Sequence, residues 1–206
     1  MKQLFAAVAA SLFSSAVHAQ APADSTDSVR VKLVRRQGAE LGATLVGAAD
    51  LEIAASLTMS RNRYVEYIVD SVHYGSPGRF ADYAGNRVAG IPGLFSTFTA
   101  ARNISQAIPF RVQLTMRSVA NYFVDDANAV EVPAWTTFGA TLSTSKSLPV
   151  GAFAIRAFIA MDNIGNTRFI GSAFVNPDIL EGEPVAFEPG SRRSVILSLS
   201  LGPRSR

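Results

Sequence analysis

Residues 51–59 read Leu51-Glu52-Ile53-Ala54-Ala55-Ser56-Leu57-Thr58-Met59. The odd positions are apolar, and Glu52, Ser56 and Thr58 break up the even ones. Successive side chains of a strand point to opposite faces, so this stretch has one apolar and one polar side. Phe110 to Met116 repeats the pattern, with Phe110, Val112, Leu114 and Met116 opposing Arg111, Gln113 and Thr115. The last run repeats it again, with Val195, Leu197, Leu199 and Leu201 opposing Ser198 and Ser200. One such strand suits any half-buried sheet. Many in series on an exported chain suit a barrel wall with lipid outside and water inside.

Working outward, the pattern predicts strands at residues 29–45, 51–67, 94–102, 110–123, 134–144, 150–163 and 193–202. The connections alternate short and long: Gly47 to Asp50, then Ile68 to Gly93, Asn103 to Pro109, Asp125 to Pro133, Ser145 to Pro149, and Ile164 to Arg192. Membrane barrels have short periplasmic turns and longer outer loops. The strands also exceed the ~5–6 residues usual in soluble sheets. No helical periodicity runs through this part of the chain. The expected fold is therefore all-β: an antiparallel transmembrane β-barrel segment of about seven long strands.

Composition agrees. The 206 residues are 48% hydrophobic and only 17% charged, below the ~25% charged of average soluble domains. Net charge is +3, and the basic residues are dispersed. No basic stripe supports a nucleic-acid partner. There are no cysteines, which excludes disulfides and thiolate metal sites.

The N-terminus reads as a secretory signal, residues 1–19. Lys2 supplies the charge, Leu4 to Phe13 the apolar core, and Val17-His18-Ala19 the small residues before a cut at Gln20. Its apolar core is shorter than the ~20 residues of a spanning helix. Residues 20–27 have linker composition, and residues 28–206 form the barrel portion. The signal implies export by the Sec pathway.

Residues capable of chemistry are few. His73 is the single histidine beyond the signal, in a loop without a partnered nucleophile or a second ligand, and reads as solvated. Asp125, Asp126 and Asn128 offer oxygens but too few for calcium, and read as a polar loop. The glycines Gly75, Gly78 and Gly90 do not lie between a strand and a helix, so they form no phosphate cradle. Tyr64/Tyr67 and Tyr122/Phe123, with Trp135, stand at the loop-side ends of strands. They read either as an interfacial aromatic girdle or as ordinary strand composition. Arg111 and Arg117 lie on the polar face, where they would either favour anionic chelates or form structural ion pairs. No catalytic residue, cofactor or metal site is expected, and an outer-membrane enzyme is disfavoured.

Several segments in order carry a family resemblance. Gly85-Asn86-Arg87-Val88-Ala89-Gly90-Ile91-Pro92 precedes a strand, and Ala89 stands where the family has proline. Asp125-Asp126-Ala127-Asn128 is followed by Val132-Pro133-Ala134-Trp135-Thr136. Then come Asn163-Ile164-Gly165-Asn166-Thr167-Arg168-Phe169, Gly171-Ser172-Ala173-Phe174-Val175-Asn176, and Phe187-Glu188-Pro189-Gly190 with Arg193. Together they resemble the C-terminal part of TonB-dependent outer-membrane receptors, the siderophore and metal-chelate importers. The resemblance runs from about Val29 to Gly202.

The resemblance implies a bacterial outer-membrane location, lipid and the barrel assembly machinery as partners, and a ferric chelate or similar small nutrient as ancestral ligand. Family members also carry a plug, an energy-coupling box and a barrel of about 22 strands. Neither plug nor box is found in residues 20–27, and the chain ends on Pro203-Arg204-Ser205-Arg206 rather than on the family's aromatic residue. Seven strands would also leave the two ends of the sheet on opposite sides of the membrane. The expectation is an incomplete barrel, from a truncated or rearranged receptor gene, that cannot perform gated transport alone. Its open edges would favour self-association. The alternatives are an exported soluble β-sheet binding module and a small oligomeric porin-like barrel.

Overall fold

The computed structural model describes residues 5–19, 29–47, 50–70, 80–104, 109–173 and 187–204. Eight long strands dominate: β1 (Phe5–Ala19), β2 (Val29–Val46), β3 (Leu51–Asp70), β5 (Leu94–Asn103), β6 (Phe110–Val119), β9 (Trp135–Thr144), β11 (Phe153–Asp162) and β14 (Ser194–Pro203). Short strands decorate them: β4 (Phe80–Asp82), β7 (Tyr122–Phe123), β8 (Glu131–Val132), β10 (Leu148–Val150), β12 (Ile170–Ala173) and β13 (Phe187–Pro189). The long strands pair antiparallel, each with its neighbour along the chain. The result is a half-barrel sheet. No helix among the described residues is long and apolar enough to cross a membrane.

The register explains why the alternation recurs. Ala43, Ala55, Phe98, Met116 and Phe138 are successive cross-strand partners and form one row over five strands. One residue over, Thr44, Ala54, Thr99, Thr115 and Gly139 form the opposing row. A slip by one residue in any strand would put hydroxyls into the apolar row, so each strand's pattern fixes its neighbour's register. The apolar face is uncovered: Phe98 and Phe138 of this row, and Leu114 and Leu197 beside it, are all exposed.

Several sequence boundaries shift. β3 runs on to Asp70, because Val69 pairs with Ala81 of β4. The strand expected to reach Phe123 stops at Val119, and Tyr122–Phe123 turns away to pair with Glu131–Val132. The turn after β9 lies later than Pro149: β10 and β11 form a hairpin over Gly151-Ala152, and Gly151 takes φ 62°. Glycine adopts that left-handed conformation without steric cost.

The N-terminal segment is a further difference. Phe5–Ala19, whose composition is that of a signal peptide, lies along β2 in unbroken register from Phe5–Val46 to Ala19–Lys32. Val8 and Leu12 of this strand are highly exposed, as are Leu197 and Leu199 of β14 at the opposite edge. β1 starts, and β14 finishes, at the end of the sheet where the short turns lie. With β1 in place, the path therefore begins and ends on one side, and the parity mismatch of seven strands is absent. Residues 20–28, which hold the expected linker, lie outside the described residues.

Candidate ligand-facing surface

The buried side chains gather on the polar face, at the long-loop end. There β3 carries a bulge: Leu33 pairs with Glu66 and Val34 with Tyr64, leaving Val65 unmatched. The extra residue reverses the alternation, so Tyr64, Tyr67 and Val69 all turn to the same side. They pack with Val34, Tyr83 and Val88. The Tyr64 and Tyr67 rings stand 4.7 Å apart, and Tyr67 and Tyr83 5.5 Å. This corrects the girdle reading for Tyr64 and Tyr67: both are buried under the 83–88 segment rather than turned toward lipid. Trp135 has the parity opposite to Phe138 and stacks on Phe169 at 4.2 Å, so it too belongs to the polar face.

Two polar fasteners hold the loops over this face. In the first, Asn128 sits at φ 57°, a left-handed position that asparagine tolerates better than most residues. Its Oδ1 accepts from the Arg87 amide at 2.7 Å, and its Nδ2 donates to the carbonyls of Arg87 and Asp125. Asn86 Nδ2 donates to the Asp126 carbonyl at 2.8 Å. The Tyr64 hydroxyl donates to the Asp126 carboxylate. Tyr64 stands above the apolar band of β3. Burial first, and then this hydrogen bond, raise its phenol well above the ordinary range, so the hydroxyl remains a donor. Asp125 accepts from the amides of Ala129 and Val130. The carboxylates read as a polar loop thus close a turn and tie it to β3. Gly90 donates its amide to the Phe123 carbonyl at 2.7 Å, a loop-to-loop bond.

The second fastener is Asn163, buried and at φ 48°. Its Nδ2 donates to the carbonyls of Thr167 and Ser191, and its Oδ1 accepts from the Thr167 amide. Asn166 Oδ1 accepts from the Arg193 amide. A Cβ on Gly190 would run into the Phe169 ring, so glycine there permits the stack on Trp135. Sequence reasoning did not single out Asn163. Its signal was present, as the first residue of the segment ending at Phe169.

Beside the second fastener the polar face holds an open pocket of about 600 Å³. Arg117, Trp135, Asp162, Phe169 and Glu188 line it. It offers an aromatic pair, one cation and two carboxylates, a mixed surface suited to holding a polar solute. Arg111 is not free for an anion: it forms an ion pair with Glu52 at 2.8 Å. Of the two arginines read as a basic wall, Arg117 faces the pocket and Arg111 is neutralised. Among the described residues no cluster of three or more His, Asp or Glu side chains is placed to hold a metal. His73, Gly75 and Gly78 lie outside the described residues.

The fold matches solved structures of receptors of the kind the sequence resembles. Against the siderophore receptor PiuA from Acinetobacter baumannii the TM-score is 0.71 at 15% identity, over 95% of this chain and 26% of that one. Against the ferric citrate transporter FecA in its unliganded form it is 0.69 at 13% identity, over 97% of this chain and 29% of that one. Against the ferric yersiniabactin uptake receptor FyuA from Yersinia pestis it is 0.58 at 15% identity, over 82% of this chain and 23% of that one. The chain thus spans about a quarter of the length of each, and the likeness at these identities is one of fold. A match over 97% of the chain takes in part of β1. No protein-family model and no curated protein matches the chain.

Proposed function

We propose that this chain is a section of outer-membrane barrel wall of the TonB-dependent receptor kind. It is exported through the Sec pathway, inserted by the barrel assembly machinery, and derived from a protein that took up an iron chelate or similar nutrient. The observation that carries this reading is the uncovered apolar row opposing a polar row over five strands. In water that row would have to be covered by a partner. In lipid it is the favoured outer surface.

By itself the section does not perform gated uptake. Among the described residues β1 and β14 do not pair, so the sheet encloses no lumen. In a membrane the two edges must be completed by further strands, because unpaired backbone groups there cost several kcal/mol each. The first test is fractionation with a carbonate wash: the chain stays with outer membranes. Recovery from periplasm as a monodisperse soluble protein, without detergent, would sink the proposal. The second is iron-chelate-dependent growth of a receptor-deficient cell expressing only this chain. No rescue is expected, and rescue that needs the energising partner would overturn the wall-section reading.

A further inference from the structure

We propose that Arg35, Arg61 and Arg63 form a binding site for the phosphate groups of membrane-lipid headgroups, on the apolar face just above its band. This rests on the reading of the chain as membrane wall. Arg35 is the cross-strand partner of Arg63, Gln37 of Arg61, Ala39 of Met59 and Leu41 of Leu57. Climbing β3 on one face, the sequence therefore runs Leu57, Met59, Arg61, Arg63. β2 matches it with Leu41, Ala39, Gln37, Arg35. The surface changes from apolar to cationic within one step of two residues, or ~7 Å.

Among the described residues, no partner accounts for the charges of Arg35 and Arg61. The opposite face at this height holds the buried side chains of Val34 and Tyr64, which closes the way inward. Arg35 and Arg61 are exposed and have no hydrogen-bond or ion-pair partner among the described residues. Arg63 donates to the Gly85 carbonyl and its Nε is buried, so Arg35 and Arg61 carry the exposed charge of the patch. The acids on this face are Glu66, opposite Leu33 and beyond the bulge, and Asp82, the partner of Ile68 on β4. Neither makes an ion pair with the three arginines among the described residues, so the charges of Arg35 and Arg61 stay unpaired there.

Arginine's planar fork presents paired N–H donors that match two phosphate oxygens. Its long stem lies along apolar surface while the head stays at the polar boundary. A cationic row directly above a lipid-facing band therefore stands at headgroup height. There phosphates are fixed and concentrated, whereas a free anion in bulk water is screened within ~8–10 Å. The lipid headgroup is the ligand source these positions favour.

The test uses the full chain reconstituted into phosphatidylcholine vesicles, with and without a minority of phosphatidic acid. Lipid retained through detergent exchange is counted by mass spectrometry. The unaltered chain should retain phosphatidic acid several-fold over phosphatidylcholine. The Arg35→Gln/Arg61→Gln variant should fall toward parity, and Arg35→Lys/Arg61→Lys should lie between them. Arg117→Gln, on the polar face, should retain as the unaltered chain does. Arg63 is left in place because it also holds Gly85. Equal retention by the unaltered chain and the glutamine variant would overturn the site. Displacement of phosphatidic acid by inorganic phosphate would reassign it to a free anion. Release of the unaltered chain from vesicles by carbonate would instead overturn the wall reading on which the site stands.

Discussion

The two halves of β3 solve opposite problems with the same backbone. From Leu51 to Met59 the strand buries almost nothing: Leu51 and Met59 are both exposed, and cross-strand pairing with β2 and β5 defines its place. From Ser60 to Asp70 it carries Tyr64, Tyr67 and Val69, part of the small buried core. The lower half is held by the sheet and completed by its surroundings. The upper half is held by loops that fold back on it, fastened by asparagine and aspartate side chains. A stretch that alternates strictly is specified by what lies outside the protein. A stretch that breaks alternation is specified by the protein itself.

The sharpest way to break this comparison is to put a charge on each face of the lower half. Leu57 lies on the apolar side, between Leu41 and Ser96. Leu57→Arg should lower membrane-integrated yield by an amount corresponding to ~2–4 kcal/mol near the midplane. Thr58 is the partner of Glu40 on the polar side, so Thr58→Arg gains a countercharge and should integrate as the unaltered chain does. Equal yields of the two variants would mean that the face assignment is wrong.

The loop end of the sheet, to which the upper half of β3 belongs, should answer to a different residue type, and the second fastener between β11 and β14 tests it. Asn163 donates two hydrogen bonds and accepts one inside the second fastener. Asn163→Ala strands those backbone groups and also places alanine at positive φ. Leaving a buried group unsatisfied costs about 1–3 kcal/mol. The expected readout is faster proteolysis of the loop between β11 and β14, with membrane yield unchanged. If integration fell as far as it does for Leu57→Arg, the loop end of the sheet and the apolar band would not be independent.

The contrast also sorts what could be read from the sequence. The strands β2, β3, β5, β6, β9, β11 and β14 coincide with the alternating runs, because one face of each meets a uniform environment and the period is undisturbed. The aromatic residues at the loop end were not legible. One bulge at Val65 turns Tyr67 to the side of Tyr64, and no local composition marks a bulge of this kind. The Asp125–Asn128 stretch read as solvated because its partners, Tyr64, Asn86 and Arg87, are distant in sequence. The N-terminal run is ambiguous for a physical reason. A short uncharged series of Ala, Val, Leu and Phe satisfies both a signal peptide and a strand facing lipid. The register with β2 shows the run as a strand.

A milder change probes the first fastener alone. Tyr64→Phe removes the hydroxyl that donates to Asp126 but keeps the ring packed on Tyr67. The expected loss is about 1 kcal/mol, seen as increased cleavage in the loop between β6 and β9. No change in cleavage would mean that Asn128 and Asn86 hold that loop without the tyrosine.

The smallest effect belongs to the ion pair at the foot of the lower half. Glu52 and Arg111 meet at 2.8 Å on the polar face, with side chains 44% and 28% exposed. Water reaches both groups, and pairs in such positions contribute roughly 0–1 kcal/mol. Glu52→Gln should therefore leave yield and unfolding midpoint nearly unchanged at ordinary ionic strength. Whatever difference exists should shrink further as salt rises, because screening acts on exposed charges. The informative readout is functional rather than energetic. With Glu52 neutralised, Arg111 becomes a second uncompensated cation on the face that also carries Arg117. A negatively charged dye offered to the reconstituted protein should then bind more tightly than to the unaltered chain, and Glu52→Gln/Arg111→Gln should reverse the gain. A large loss of stability in Glu52→Gln would show that this half, too, is held by interactions within the protein, and would dissolve the contrast between the two halves of β3.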